Sequence, residues 1–473
     1  MSVEKSRRST KRSRRKDSKR AEDGARHRPP REEAVVLDDL RRLSQSPGFV
    51  HALATLTFQS NVITAVDDFT VDDFLKIYSP DRLIRNETNL LIGLMLSGAV
   101  DPTLQDPSVT TAYVDDAIAL LEELHQAIIA QGHEVFFGAL QAHRAGDEKA
   151  NPLRSGVLLR EGIFYGGESA FPFQYEALAR ERYAPDAAWL QKNMGFDIGE
   201  AADVLTAIRK IGSDKFQTHQ RTLRQQGPTE WTWLPIFGFS IDEIINLVPL
   251  SRAKVEKIVE AFTITELDPE LKISRVGSYN KAATHPLTRL KNGALLSFLE
   301  YGAMAALYEN PFYWISKDKR YLGEHSQTRG HFAERFVELT FCKVFPTDFV
   351  YRNVVFKNDA GNAIGEADVI LFYGYRAFIV QAKSKRLTLA SWEGDDQAIA
   401  QDFQKAVQEA YDQAVDCATF LRDGVKAFVD DVEIDIAKHG NVREYFPICI
   451  TSEHYRRLQI KVLQVSTSGR RKS

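Results

Sequence analysis

The stretch 365–385, GEADVILFYGYRAFIVQAKSK, constrains this chain more than any other. Apolar runs at 369–372 and 378–380 flank Tyr373-Gly374-Tyr375, the pattern of two β-strands joined by a tight turn. Side chains alternate faces along a strand. Glu366 and Asp368 therefore share a face of the first strand, and Gln381 and Lys383 share a face of the second. Their neighbours are apolar on both faces, as in a strand covered on both sides. Charges in such strands are costly unless paired or bound to a metal. Two readings follow: an edge hairpin with a buried Asp–Lys pair, or a divalent-metal site beside a lysine.

The flanking sequence extends the pattern. RGHFAERFVELTFCKVF (329–345) reads as a helix and FVYRNVVFK (349–357) as a strand. Residues 397–421 read as a second helix and YFPICIT (445–451) as a last strand. An acid on one strand, Asp368, then Gln381-Ala382-Lys383 on the next, within an α-β-β-β-α-β order, resembles the PD-(D/E)XK (restriction-endonuclease-like) nuclease superfamily. The resemblance covers roughly residues 320–451 and says nothing about what precedes them.

It implies an α/β core and a Mg²⁺- or Mn²⁺-dependent endonuclease acting on DNA rather than RNA, in restriction of foreign DNA (defence) or in repair. As metal ligands it implies Asp368, Gln381, the backbone carbonyl of Ala382 and a carboxylate on the first helix, Glu334 or, one turn on, Glu338. Magnesium keeps several waters, so one or two carboxylates suffice. Gln381 offers only a neutral amide oxygen where many members of that superfamily have Glu. This weakens the expected metal site, and Glu366 would restore the missing charge. The catalytic set is Asp368, Gln381, Lys383 and Glu334, with Lys383 orienting the attacking water and stabilising the transition state. Lys385 and Arg386 suit a phosphate contact, and Lys405, Gln408 and Gln413 on the second helix suit the nucleic-acid backbone. The rival reading is a non-catalytic nucleic-acid-binding or regulatory protein that keeps the nuclease fold.

The rest of the chain supplies context. With 473 residues it has room for two or three domains, and its net charge of −3 exerts no global pull on nucleic acid. Three scattered cysteines, Cys342, Cys417 and Cys449, argue against a disulfide framework and a Cys zinc site. The longest apolar run, 90–100, is too short to span a bilayer, and the N-terminus lacks a signal-peptide core. A cytoplasmic protein is expected, or a nuclear one in a eukaryote, with no membrane partner. Phosphate-loop, HExxH, Ser-His-Asp and Cys-His patterns are all missing.

The organisation expected is α+β overall. Residues 1–33 form a basic, disordered tail. A mainly helical domain covers 34–305, with helices at 38–54, 114–130, 173–193 and 197–211. The nuclease-like domain covers 306–455 and a short tail 456–473. Two similar stretches, 195–200 and 238–243, read as a recurrent helix cap. The segment 240–262 is compatible with a helix-turn-helix, although helical hairpins with solvated basic faces are commoner. Asn292-Gly293 marks a hairpin. Tyr308, Phe312 and Trp314 suit packing against the following domain, or base stacking. A nuclease needs control, so recognition, sensing, a homodimer contact or a partner protein is expected of the N-terminal region.

Overall fold

Helix α1 (Glu33–Ser44) opens the first core, and its first residue is already buried. The Glu33 carboxylate accepts from Arg160 Nη2 at 2.8 Å and from the Val276 N–H at 2.6 Å. Arg31 is bound to Glu123 and Asp39, both at 2.6 Å. The fold thus begins before the tail boundary drawn at residue 33. The computed structural model describes residues 30–452 apart from 63–69, 72–81, 148–156, 167–169, 224, 386–387 and 393–394. The basic segment before residue 30 and the C-terminal tail lie outside the described residues.

The chain is mixed α and β, mainly helical, with two sheets. The helix expected over 38–54 is broken between α1 and α2 (Phe49–Asn61). Gly48 sits at the break with φ +76°, and a Cβ there would meet the Thr103 carbonyl at 2.5 Å, so only glycine fits. Helices α3 (Arg85–Leu96) and α4 (Pro107–Arg144) complete this core, α4 running far past the expected 114–130. A second core joins α5 (Pro172–Tyr183), α6 (Ile198–Leu223), α7 (Arg252–Ala261) and α8 (Glu300–Ile315).

The two similar stretches do share one cap. Asp197 Oδ1 accepts from the Glu200 N–H while Glu200 returns the bond to the Asp197 N–H; Ser240 and Glu243 do the same. Phe196 and Phe239 are buried beside these caps in the second core. On α7, Val255, Ile258 and Val259 face inward, Lys254 pairs with Glu200 at 2.6 Å, and Arg252 pairs with Asp242. Two of the three basic residues of this helix, Arg252 and Lys254, are thus engaged within the protein. Residues 303–308 and Ile315 are buried in this same core, so the helical region runs through α8 and a boundary at 305 would cut that helix. Trp314 stacks edge-on against Phe196 and Phe262. It packs on the preceding region, where packing on the following one was expected.

A small sheet of β1 (Gly238–Phe239), β2 (Thr263–Thr265), β3 (Leu287–Arg289) and β4 (Leu295–Ser297), ordered β1-β4-β3-β2, belongs to the helical region. Its β3–β4 hairpin is the Asn-Gly turn, with Gly293 at φ +86°.

The larger sheet follows helix α9 (Leu322–Cys342). Strands β5 (Val350–Lys357), β6 (Ala363–Tyr373) and β7 (Arg376–Lys383) form an antiparallel meander. Gly374, at φ +61°, opens the tight β6–β7 turn. The chain then crosses over through α10 (Asp396–Phe403), a π-turn (Gln404–Gln408) and α11 (Glu409–Arg422) to β10 (Glu444–Thr451), which lies parallel to β7. An added hairpin, β8 (Lys426–Val429) and β9 (Val432–Glu433), extends the β5 edge and gives the order β10-β7-β6-β5-β8-β9. Val369, Leu371 and Val380 pack with Val337 of α9 on one face. Ile370, Phe372 and Ile379 pack with Ala414, Cys417 and Leu421 of α11 on the other. The continuous apolar runs are explained: helices cover both faces.

Candidate active site

The sheet opens into a fork at Asp368. Between β6 and β7 the paired rungs run from Tyr373–Arg376 to Val369–Val380 and stop there. On the other side, β5–β6 rungs at Arg352–Val369 and Val354–Ala367 flank Asn353, which has no rung to Asp368. Asn353 lies in the left-handed region, φ +54°, a conformation uncommon for a non-glycine residue and typical of functional sites. Asp368 is thus unladdered on both sides. Meanwhile β7 continues along β10 as far as Lys383–Thr451, which holds one prong of the fork rigid.

Side chains bridge the opening. Asp368 Oδ2 accepts from the Ala382 N–H at 2.6 Å, and Gln381 Nε2 donates to the Glu366 carbonyl at 2.6 Å. Cys417 Sγ of α11 donates to the same carbonyl at 3.3 Å. Gln381 is buried. Its amide nitrogen holds the fork together, whereas the sequence expectation had its oxygen facing a metal. Burial pushes the Asp368 carboxyl up to about 6; the charges of Glu334 and Glu366 push the same way, and the Ala382 N–H and Lys383 only partly offset this. Lys383 Nζ donates to Gln413 Oε1 of α11 at 3.0 Å, a neutral partner, while its charge acts on Asp368.

The two candidates on α9 separate here. Glu338 bridges to Arg352 of β5 at 3.3 Å, while Glu334 is near enough to raise the Asp368 carboxyl. Asp368, Glu334, Glu366, Gln381, Ala382 and Lys383 therefore gather at one place. Three of the residues expected to touch nucleic acid have partners within the protein. Lys385 pairs with Asp402 at 3.1 Å, Gln408 donates to Asp412 at 2.8 Å, and Gln413 serves Lys383. Lys405 is exposed on the π-turn, and Arg386 lies outside the described residues.

Three further residues organise the site without having been picked out from sequence. Asn353 opens the fork, and an Asn inside a strand, where it is depleted, was its only signal. Arg329 of α9 donates to the Ser384 carbonyl just past Lys383 and lies 4.3 Å over the Phe312 ring. Buried Asp402 accepts from the Thr388 N–H and Ser391 Oγ, both at 2.6 Å, fixing the segment after β7. Neither Arg329 nor Asp402 is distinguishable in sequence from a solvated helix charge. Burial pushes the Cys417 thiol up to about 12 and the Cys449 thiol up to about 11, which keeps both protonated at neutral pH.

The donor set fits a hard divalent cation. Burial, helped by the charges of Glu334 and Glu366, raises the Asp368 carboxyl, and a cation held by Asp368 would offset that cost. Among the described residues no group of three or more His, Cys, Asp or Glu side chains forms a ready-made cage, so water would complete the shell. No helix among them is long and apolar enough to cross a membrane. No known family model, curated protein or solved structure matches this chain.

Proposed function

We propose that this protein is a divalent-metal-dependent nuclease of the PD-(D/E)XK type that hydrolyses phosphodiester bonds, of DNA in the first instance. The observation that carries the reading is the fork, where a carboxylate raised to about 6 and a lysine with a neutral partner meet at the end of an interrupted ladder. The helix–meander–helix–strand order around it, with the last strand parallel to the third, supports the same reading. Asp368 and Glu334 would hold Mg²⁺, with Glu366 adding charge and the Ala382 carbonyl a neutral oxygen. When bound, the cation lowers the pKa of the attacking water and neutralises charge on the phosphoryl oxygens.

The chain's own residues do the rest. Gln413 holds the Lys383 ammonium at the fork mouth, where it can orient a phosphoryl oxygen or a water by a charge-assisted bond. Gln381 and Asp368 fix the backbone at Glu366 and Ala382, so the donors are set before substrate arrives, which is what electrostatic preorganisation requires. The test is plasmid degradation with Mg²⁺ or Mn²⁺ by the intact protein and by Asp368→Ala and Lys383→Ala. Loss in both variants is expected; equal cutting by all three overturns the assignment.

One observation favours a second reading, a nucleic-acid-binding protein without chemistry. Gln381 spends its amide on the Glu366 carbonyl, and a three-ligand cluster is missing among the described residues. Calorimetric titration with Mn²⁺ separates the two: binding at Asp368 is expected of the nuclease. Undetectable metal binding with intact duplex binding would favour the second reading.

A further inference from the structure

A cleft of about 1260 Å³ is lined by residues of the helical region and of the large sheet, Lys383 and Ser384 among them. Its composition is unlike that of the chain as a whole. Five Arg and four Lys line it against two Glu, although the protein carries a net charge of −3. Three of these cations are paired to acids behind the wall: Arg160 to Glu33, Lys281 to Asp268 and Lys385 to Asp402. Low-dielectric walls focus the field of such a lining.

Aromatic rings stand among the charges. Tyr279, Tyr313 and Phe336 line the cleft and are exposed by 40%, 49% and 40%. Large rings exposed on the walls of one concave surface, among Arg275 and Lys317, suit a ligand that offers both flat apolar faces and negative charge. A nucleic-acid strand offers both at a regular spacing: bases stack on the rings while phosphates meet the cations. Duplex bases are already stacked on each other and present only edges, so rings on a wall gain nothing from them.

We propose that this cleft is the channel for a single strand of nucleic acid, bound through its phosphates and its unpaired bases and led to Lys383. The final step, delivery to a cutting site, rests on the nuclease reading above; the binding itself does not. The helical region then supplies one wall of the substrate site, and the small sheet and α8 position Tyr279 and Tyr313 for it.

The test is fluorescence anisotropy of the full chain in EDTA, where cleavage cannot occur, with labelled poly-T DNA, poly-U RNA and a DNA duplex of equal length. Single strands should bind more tightly than the duplex, and rising salt should weaken that binding as counterion release requires. Tyr313→Ala combined with Phe336→Ala should weaken single-strand binding about tenfold or more, since each stacked base contributes about 1–3 kcal/mol, and should leave duplex binding unchanged. Lys317→Glu should weaken binding and flatten the salt dependence. All these side chains are exposed, so the variants should keep the parent circular-dichroism spectrum and melting temperature. Preference for the DNA or the RNA strand identifies the sugar and supports the channel either way. Duplex binding as tight as single-strand binding, or single-strand binding indifferent to the aromatic pair, overturns it. Single-strand binding without any Mg²⁺-dependent cutting would sink the nuclease reading and leave the channel standing.

Discussion

Replacing Asp368 by Asn should make the protein more stable at neutral pH while removing the proposed nuclease activity. The reason is linkage. An ordinary Asp carboxyl has a value of 3.8, and burial beside Glu334 and Glu366 raises that of Asp368 to about 6. Between those values the folded state keeps a proton that the unfolded state has released, so stability falls as pH rises through the window and stays low above it. A shift of this size corresponds to about 3 kcal/mol at pH 8 and about 1 kcal/mol at pH 4.5. Asparagine carries no charge to desolvate, and its Oδ1 can still accept the Ala382 N–H that Asp368 now holds. Because the new amide also needs acceptors, about half of the gain is a fair expectation, on the order of 1–2 kcal/mol at pH 8.

The assay is urea unfolding in EDTA of the parent and of Asp368→Asn at pH 8 and pH 4.5. The variant should have the higher midpoint at pH 8, and the gap should shrink at pH 4.5. Adding Mg²⁺ should raise the midpoint of the parent far more than that of the variant, because only the parent keeps the carboxylate. A variant less stable than the parent at pH 8, or a gap that does not change with pH, would refute the account of a strained, partly protonated carboxylate. Destabilisation at a reactive centre, relieved by ligand, is the usual trade between stability and function.

Two other changes probe the same scaffold. Gln381→Glu removes the N–H that reaches the Glu366 carbonyl at 2.6 Å and adds a charge beside Asp368, so in EDTA it should cost about 1–3 kcal/mol in urea unfolding; Mn²⁺ should return more stability to this variant than to the parent, and an unchanged midpoint without metal would contradict the placement of Gln381. Asp186→Ala removes the carboxylate that binds His325 Nδ1 at 3.0 Å and Tyr321 OH at 2.8 Å, with Asp186 and His325 fully buried. Each buried hydrogen-bonding group left without its partner costs about 1–3 kcal/mol. A loss under about 1 kcal/mol would mean that this contact does not hold α9 to the helical region.

The sequence carried the large sheet well because strand and helix periods leave strong marks in apolar residues. The runs at 369–372 and 378–380 could only be strands covered twice, and α9 and α11 cover them. The β8–β9 hairpin went unread because its strands are short, although Asp430-Asp431, both with positive φ, is a turn signal between Val429 and Val432. Helix breaks at Gly48 and near Asp186 were missed for another reason: the apolar spacing continues across them, and tertiary contacts decide where the chain bends. Site residues were legible where chemistry was unusual for its setting, as with Asp368 and Lys383 in apolar strands. Side-chain direction was not legible. Strand alternation put Gln381 and Lys383 on one face of β7, but did not show which end of the Gln381 amide faces the Glu366 carbonyl.

The fork itself follows from an asymmetry that no single motif encodes. Strand β7 is fully paired with β10 through Lys383, so its end is rigid. Strand β6 loses its rungs on both sides at Asp368, next to the left-handed Asn353. Backbone groups freed in this way must find partners, and the Asp368 carboxylate and the Gln381 amide satisfy two of them. The same two side chains that the sequence marks as chemical thus also close the sheet. A cation drawing on Asp368 would compete with the Ala382 N–H for its oxygens, which ties the geometry of the β6–β7 opening to occupancy of the site.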